Sequence, residues 1–181
     1  KTNNPRFGWD LYRRFVHMFS AVVMELDNDL FNRRMDALKH ERGVHLDTEL
    51  TAEDLEQLTS DYKEIYRKHI GSDFPDDPWE QLYAGIGAVF NSWMKKKARD
   101  YRKIYGVPEW WGTAVNVQSM VYGNMGDDSA TGVAFTRNPS TGEPHFYGEY
   151  LKNAQGEDVV AGIRTPQPIN EASRNPGDTS S

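Results

Sequence analysis

The adjacent carboxylates Asp127 and Asp128 are the first residues whose type and spacing could do chemistry, because paired carboxylates attract Mg²⁺. They stand in the stretch Gly123 to Asp128, rich in Gly, Asn and Asp. In such a turn an Asp side chain commonly bonds its own backbone, and that role is the expected one. His17, His40, His45, His69 and His145 lack the i, i+4 spacing and the nearby Cys or Asp partners of a metal site, and read as structural. There is no Gly-x-Ser-x-Gly elbow, no Gly-Lys-Ser phosphate loop and no Gly-x-Gly-x-x-Gly turn. The absence of cysteine removes disulfides, thiolate zinc sites and a cysteine nucleophile, and agrees with a reducing compartment. Taken by themselves, the residues offer no catalytic constellation and no metal site.

Two other groups carry weaker signals. Lys95, Lys96, Lys97, Arg99, Arg102 and Lys103 follow a run of apolar helical positions. They read as a solvated helix end, where cations complement the dipole, with docking of an acidic domain as the sharper alternative. Trp110 and Trp111, after Pro108, are expected to pack at a subdomain junction. The net charge of −6 gives no general reason to expect nucleic acid as a partner. No apolar run reaches the roughly 18 residues of a membrane span, and Lys1 to Arg6 lead into no targeting segment. Neither nucleic acid nor a membrane is therefore an expected partner.

The elements that must position any site fall into two halves. Tyr12, Phe15, Val16, Phe19, Val22, Val23 and Leu26 recur at helical spacing and predict a long helix from Trp9 to Leu26. Phe31, Met35 and Leu38 predict a second helix ending near Gly43. Thr51 and Asp54 form a capping pair for a third, with Leu55, Leu58, Tyr62, Ile65 and Tyr66 as its stripe and Gly71 as its end. Pro75 and Pro78 mark a loop, and Leu82, Tyr83, Ile86, Val89, Phe90, Trp93 and Met94 predict a further helix from Trp79. After Pro108 the composition turns to valine, aromatic residues and glycine. Ala114 to Tyr122, Gly132 to Arg137 and His145 to Tyr150 predict antiparallel strands, joined by turns at Gly123 to Asp128 and Asn138 to Gly142.

The fold class is thus α+β: a helical subdomain over 1–107, a mostly antiparallel sheet over 108–169, and a polar, disorder-prone tail over 170–181. A chain of 181 residues can hold one sizeable core or two small subdomains without disulfide or metal staples. The start at Lys1 and the polar ending suggest that both ends are cuts in a longer polypeptide.

Thr113 to Pro166 is the informative block. Val117-Gln118, Gly123-Asn124-Met125-Gly126-Asp127-Asp128-Ser129, Thr131 to Thr141 and Asn153 to Pro166 stand in the order and spacing of the pyruvate phosphate dikinase family, which the chain resembles. Thr2-Asn3-Asn4-Pro5-Arg6-Phe7 and Trp9-Asp10-x-Tyr12-Arg13-Arg14-Phe15 extend the resemblance to almost the whole sequence. Ala130 departs from the family's usual glycine. The turn at Asn124 to Asp128 and the stretch Asn153 to Pro166 favour dikinase over the related phosphoenolpyruvate synthases. A helical interaction module that binds no nucleotide is the alternative from another class.

The resemblance implies part of an ATP-grasp domain. The family's enzyme interconverts ATP, pyruvate and phosphate with AMP, phosphoenolpyruvate and pyrophosphate through a mobile phosphohistidine domain. By similarity, Gln118, Ser119, Met120 and Val121 form the strand beside adenine, with Met120 and Val121 as apolar cover. Thr136 and Arg137 would reach phosphate oxygens, and Glu157 would touch the nucleotide or hold its loop. Lys97, Ser140 and Glu149 would help dock the phosphohistidine domain. The family's phosphate loop, its Mg²⁺-side Asp-x-Glu and Gln-x-Arg pairs and its Thr-Ser-His acceptor have no counterpart in the 181 residues. The expectation is therefore no catalytic residue, no tightly bound ATP or Mg²⁺, and no turnover by this chain alone. The full enzyme is expected to be a cytoplasmic homodimer, with a plastid or other organelle also open.

Overall fold

The computed structural model describes residues 3–160 and 164–174. The chain divides into two compact units, Lys1–Val117 and Gln118–Ser181. The first is helical. Its last helix closes at Tyr105, two residues before the expected boundary at 107, and the unit runs on through Val117.

Helix α1 (Pro5–Met18) starts where Asn4 accepts a hydrogen bond from Phe7 N at 3.1 Å and Pro5 takes the first turn, where its missing N–H is no loss. The helix was expected to run to Leu26. It instead widens into a π turn over Phe19–Val23 and stops at Glu25, whose φ of 59° lies in the left-handed region. Helix α2 (Asn28–Arg42) ends at Gly43 with φ 67°. Helix α3 (Ala52–Ile70) opens with a reciprocal Thr51–Asp54 capping box and ends at Gly71 with φ 85°. The two glycine ends and the Thr51–Asp54 cap match the sequence reading, because a cap and a left-handed glycine act through local backbone groups.

The stripe residues of α1, α2 and α3 close one core. Val16, Phe31, Leu38, Leu50, Leu55, Leu58 and Tyr62 are buried together. Phe31 meets Tyr62 edge-on at 5.0 Å, and Phe74 folds back to meet Phe15, Phe19 and Tyr66. Beside this core lies an ion cluster. Asp10 accepts from Arg13 Nη2 at 2.5 Å and from Arg14 Nε at 3.2 Å. Burial alone would push the Asp10 carboxyl up, but the charges of Arg13 and Arg14 and the Arg13 hydrogen bond together hold it below the ordinary carboxylate range.

Helix α4 (Pro78–Ser92) is capped by Asp77, which accepts from Trp79 N at 2.9 Å. It contributes no fully buried residue. The basic run was expected as a helix end and is a helix of its own, α5 (Lys96–Tyr105). Arg102 explains the break: buried, it lies 4.0 Å over the Trp93 ring and donates to the Trp93 carbonyl at 2.7 Å, which fixes the turn between α4 and α5. Lys96 and Lys97 consequently sit at the N-terminal end of α5, where the dipole does not favour them. Trp110 is 83 % exposed and meets Trp111 edge-on at 6.1 Å, so the pair packs on itself and not into a core.

The second unit holds an antiparallel sheet of order β1-β2-β3. β1 (Ala130–Phe135) pairs with β2 (Tyr147–Lys152) in the register Ala130 to Lys152 and Phe135 to Tyr147. β3 (Gln167–Pro168) pairs with Tyr150 and Glu149 on the other side of β2. Two expected strands are therefore present with shifted ends, but Ala114 to Tyr122 is not a strand: it carries no sheet pairing. Its alternating pattern records a chain suited to a sheet, while pairing needs a partner that the pattern does not specify. The turn after β1 forms as expected, with Asn138 Oδ1 accepting from Ser140 N at 2.8 Å and Gly142 at φ 77°.

A short helix, α6 (Gly156–Val160), covers the sheet, burying Val159 with Leu151 and Ala154. The polar tail begins in ordered structure. Asn170 accepts from Ser173 N at 2.9 Å, and Ser173 Oγ accepts from Gly148 N at 2.9 Å, so Asn170 to Arg174 is tied to β2. The remainder of the expected tail, 175–181, lies outside the described residues, as does Thr2 of the amino-terminal match.

Candidate nucleotide groove

The second unit is organised by the loop 123–129 between the extended-patterned segment and β1. Gly123 O accepts from Ala154 N at 2.9 Å, Ser129 O accepts from Asn153 N at 2.8 Å, and Thr131 Oγ1 donates to Ala154 O at 2.7 Å. Gln155 Nε2 donates to Asn124 Oδ1 at 3.2 Å. These bonds hold both ends of the loop against 153–156. Gly123 has to be glycine there, since a Cβ would collide with Thr131 Oγ1 and lie 2.6 Å from the Ala130 carbonyl carbon. Arg164 reinforces the junction by donating to Lys152 O at 2.6 Å and to Asn153 O at 3.1 Å.

The result is an open groove of about 440 Å³ with Met120 to Gly123 on one wall, Ser129 to Thr131 on the other, and Gln155 and Gly156 at its end. Every lining side chain is neutral. Met120 and Tyr122 offer apolar surface, while Ser129, Thr131, Gln155 and the backbone offer directional hydrogen bonds. Such a lining is suited to a flat, uncharged ring with polar edges and poorly suited to a polyphosphate.

Of the residues singled out from the sequence, the groove gathers Met120 and Val121, which are 62 % and 94 % exposed. Gln118 and Ser119 precede them on the same segment, both exposed, and Glu157 follows Gly156 on the first turn of α6. Thr136 and Arg137 are not brought here. They lie past the far end of β1, roughly 20 Å from Ala130 at the usual rise of a strand, and Arg137 Nη1 donates to Gly142 O at 3.0 Å within its own turn. Ser140 is exposed at the tip of that turn, and Glu149 points outward from the middle of β2. Lys97 is exposed on α5, in the other unit.

Asn124 and Gln155 are the members that sequence reasoning passed over. Both are buried polar residues, and the available signal was their position in two glycine-containing turns that nothing else explained. Asp127 and Asp128 stand exposed in the turn, where Ser129 Oγ donates to Asp128 Oδ1 at 3.4 Å. Among the described residues no group of three or more His, Asp or Glu could hold a metal ion, and no helix is long and apolar enough to cross a membrane.

An α+β chain whose sheet and first loop frame a neutral groove has the makings of a nucleotide-domain component. The chain belongs to the pyruvate phosphate dikinase AMP/ATP-binding domain family, whose model matches residues 78–176. It is similar to the pyruvate, phosphate dikinase of Clostridium symbiosum, 57% identical over 172 residues, which is 94% of this chain and 20% of that protein. The pyruvate, phosphate dikinase of Rhizobium meliloti (strain 1021) is 57% identical over 171 residues, 94% of this chain and 19% of its own length. A chloroplastic pyruvate, phosphate dikinase of Flaveria trinervia is 55% identical over 167 residues, 92% of this chain and 18% of its own length. The chain thus spans about a fifth of the length of these curated relatives.

Proposed function

We propose that this chain supplies the adenine side of the nucleotide site in a pyruvate, phosphate dikinase of ATP-grasp type. That enzyme would interconvert ATP, pyruvate and phosphate with AMP, phosphoenolpyruvate and pyrophosphate. The observation that carries the reading is the groove lined by Met120, Val121, Ser129, Thr131 and Gln155, within the stretch matched by the AMP/ATP-binding family. Met120 covers the base, and main-chain groups of Gln118 to Val121 read its edge. Glu157 stands beside the groove and holds its end.

Phosphoryl transfer needs metal, positioning cations and an acceptor together. The neutral groove provides none of these. Among the described residues no third carboxylate or imidazole joins Asp127 and Asp128, so this chain's own side chains do not by themselves assemble a Mg²⁺ centre. Thr136 and Arg137 therefore act on a different part of the ligand or on another domain, and the chain alone turns over no substrate. Lys97, Ser140 and Glu149 are exposed, as residues that dock a phosphohistidine domain have to be. Within the full-length enzyme, Glu149→Lys should slow the ATP half-reaction, and unchanged pyrophosphate formation removes Glu149 from that role.

The direct test is titration of the 181-residue chain with AMP and MgATP, followed by amide NMR shifts and by calorimetry. The expected result is weak binding in the calorimeter. Shift changes should cluster at Gln118 to Tyr122 and Gln155 to Glu157 and spare Thr136 and Arg137. Absence of shifts at these amides at millimolar nucleotide overturns the assignment.

A further inference from the structure

Helix α4 is apolar on two sides, and its own unit covers only one of them. Leu82, Gly85 and Val89 share an apolar groove with Val22 and Val23 of the π turn. Trp79, Tyr83 and Phe90, with Ile86 between them, recur at four- and three-residue spacing and so form a second stripe. Met94 continues it just past the end of the helix. Trp79 is 64 % exposed, Tyr83 67 %, Phe90 49 % and Met94 66 %. The Trp79 and Tyr83 rings lie 6.4 Å apart on this face. A contiguous apolar stripe left in water marks an association surface.

The order of residues along the stripe says what covers it. Two copies of α4 running in opposite directions set Tyr83 against Phe90 and Trp79 against Met94. Ile86 then meets Gly87 at the midpoint, where the missing side chain lets the backbones approach. The charges invert over the same length: Asp76 and Asp77 precede the helix, and Lys95, Lys96 and Lys97 follow it. Arg102, stacked on Trp93, fixes the turn from which these lysines leave. Antiparallel copies therefore bring the carboxylates of each to the lysines of the other, whereas parallel copies would set like charge on like at both ends. Three large aromatic side chains from each copy, exposed to this degree, bring on the order of 1,000 Å² together. That area is the lower bound of a specific interface and fits a dimer of micromolar strength.

We propose that α4 docks antiparallel on α4 of a second copy of this chain. Trp79, Tyr83, Ile86, Phe90 and Met94 form the contact, and the acidic start of each helix meets the lysines that follow the other. This inference concerns the helical unit alone and does not depend on what the groove of the second unit binds.

Sedimentation equilibrium on the 181-residue chain tests it. The expected result is a doubling of mass with a Kd on the order of 10 µM. A sample of mixed isotope labelling should show contacts between the Tyr83 ring of one copy and the Phe90 ring of another. Tyr83→Glu should weaken association at least ~10-fold and leave the circular dichroism unchanged, because Tyr83 is exposed. Asp76→Lys or Lys96→Glu alone should weaken it about fivefold, and the two together in one chain should restore it. A chain that stays monomeric at about 100 µM overturns the proposal and leaves the stripe to another segment or partner. Open-ended aggregation in place of a dimer overturns it too, as does a dimer that survives Tyr83→Glu. A double charge reversal that weakens association further overturns the antiparallel order. The mass of the unaltered chain and its ring contacts decide the matter even if a variant fails to fold.

Discussion

Gln155 reaches across 31 positions of sequence to donate to Asn124 Oδ1 at 3.2 Å, with both residues buried. This bond ties the loop that opens β1 to the turn that begins α6, and thereby sets the end of the groove. Gln155→Ala should destabilise the second unit by about 1–2 kcal/mol, because a buried acceptor on Asn124 loses a partner. Hydrogen exchange at Asn153 and Ala154, whose amides donate to Ser129 O and Gly123 O, should accelerate while the amides of α3 stay unchanged. Equal exchange at all these sites would mean that the loop is held without Gln155.

Gly148 is the tightest point of the ladder. A Cβ there would lie 2.5 Å from Val133 O and 3.0 Å from Ala134 Cα, and both obstacles are backbone that cannot turn aside. Gly148→Ala should therefore separate β1 from β2 at a cost of about 1–3 kcal/mol. The same change removes nothing from the helical core. Thermal unfolding followed by hydrogen exchange should show early loss of β1 protection with the α1–α3 core intact, and simultaneous loss of both would contradict this reading.

How much of this was legible in the sequence depended on how local the cause was. Thr51 with Asp54, Gly43 and Gly71 were readable because a cap or a left-handed glycine satisfies groups within one turn of itself. The stop of α1 at Glu25 was not, since a residue other than glycine at φ 59° carries no sequence signal. β3 was missed for a different reason: it spans two residues, one of them Pro168, which a sheet tolerates at its edge. The separate helix α5 depends on Arg102 stacking on Trp93, a contact that a run of basic residues conceals. In the groove, Met120 and Val121 followed from the resemblance. Thr136 and Arg137 were assigned to phosphate oxygens and not to the base, and the strand's length between them and the groove is a distance that a one-dimensional motif does not measure.

Asp10 makes the helical unit sensitive to acid. Its carboxyl is held below the ordinary value of 3.8 by Arg13 and Arg14 against the opposing effect of burial. A depressed folded value means that the stabilisation is present above the unfolded value and is lost as pH falls through the folded one. Stability followed by far-ultraviolet circular dichroism should thus fall as the pH drops below the ordinary carboxylate value of 3.8. Asp10→Asn should cost about 3 kcal/mol at neutral pH, since it leaves Arg13 buried without its close counter-charge. It should also flatten the acid limb; an unchanged limb would locate the acid sensitivity elsewhere.

Tyr62 should give the opposite limb. Its side chain is 1% exposed and its hydroxyl donates to Phe31 O at 3.1 Å. Burial pushes its pKa from the ordinary 10.0 up to about 12, because the phenolate would lose hydration that the core does not replace. With the folded value raised, the contribution is intact below pH 10 and is lost as pH climbs through the folded value, a total of roughly 3 kcal/mol at 1.36 kcal/mol per unit. Tyr62→Phe should lower stability at neutral pH by about 1 kcal/mol through the lost hydrogen bond and remove most of the alkaline slope. Denaturant melts at pH 8, 10 and 11 on both proteins measure this, and parallel slopes would show that another group governs alkaline unfolding.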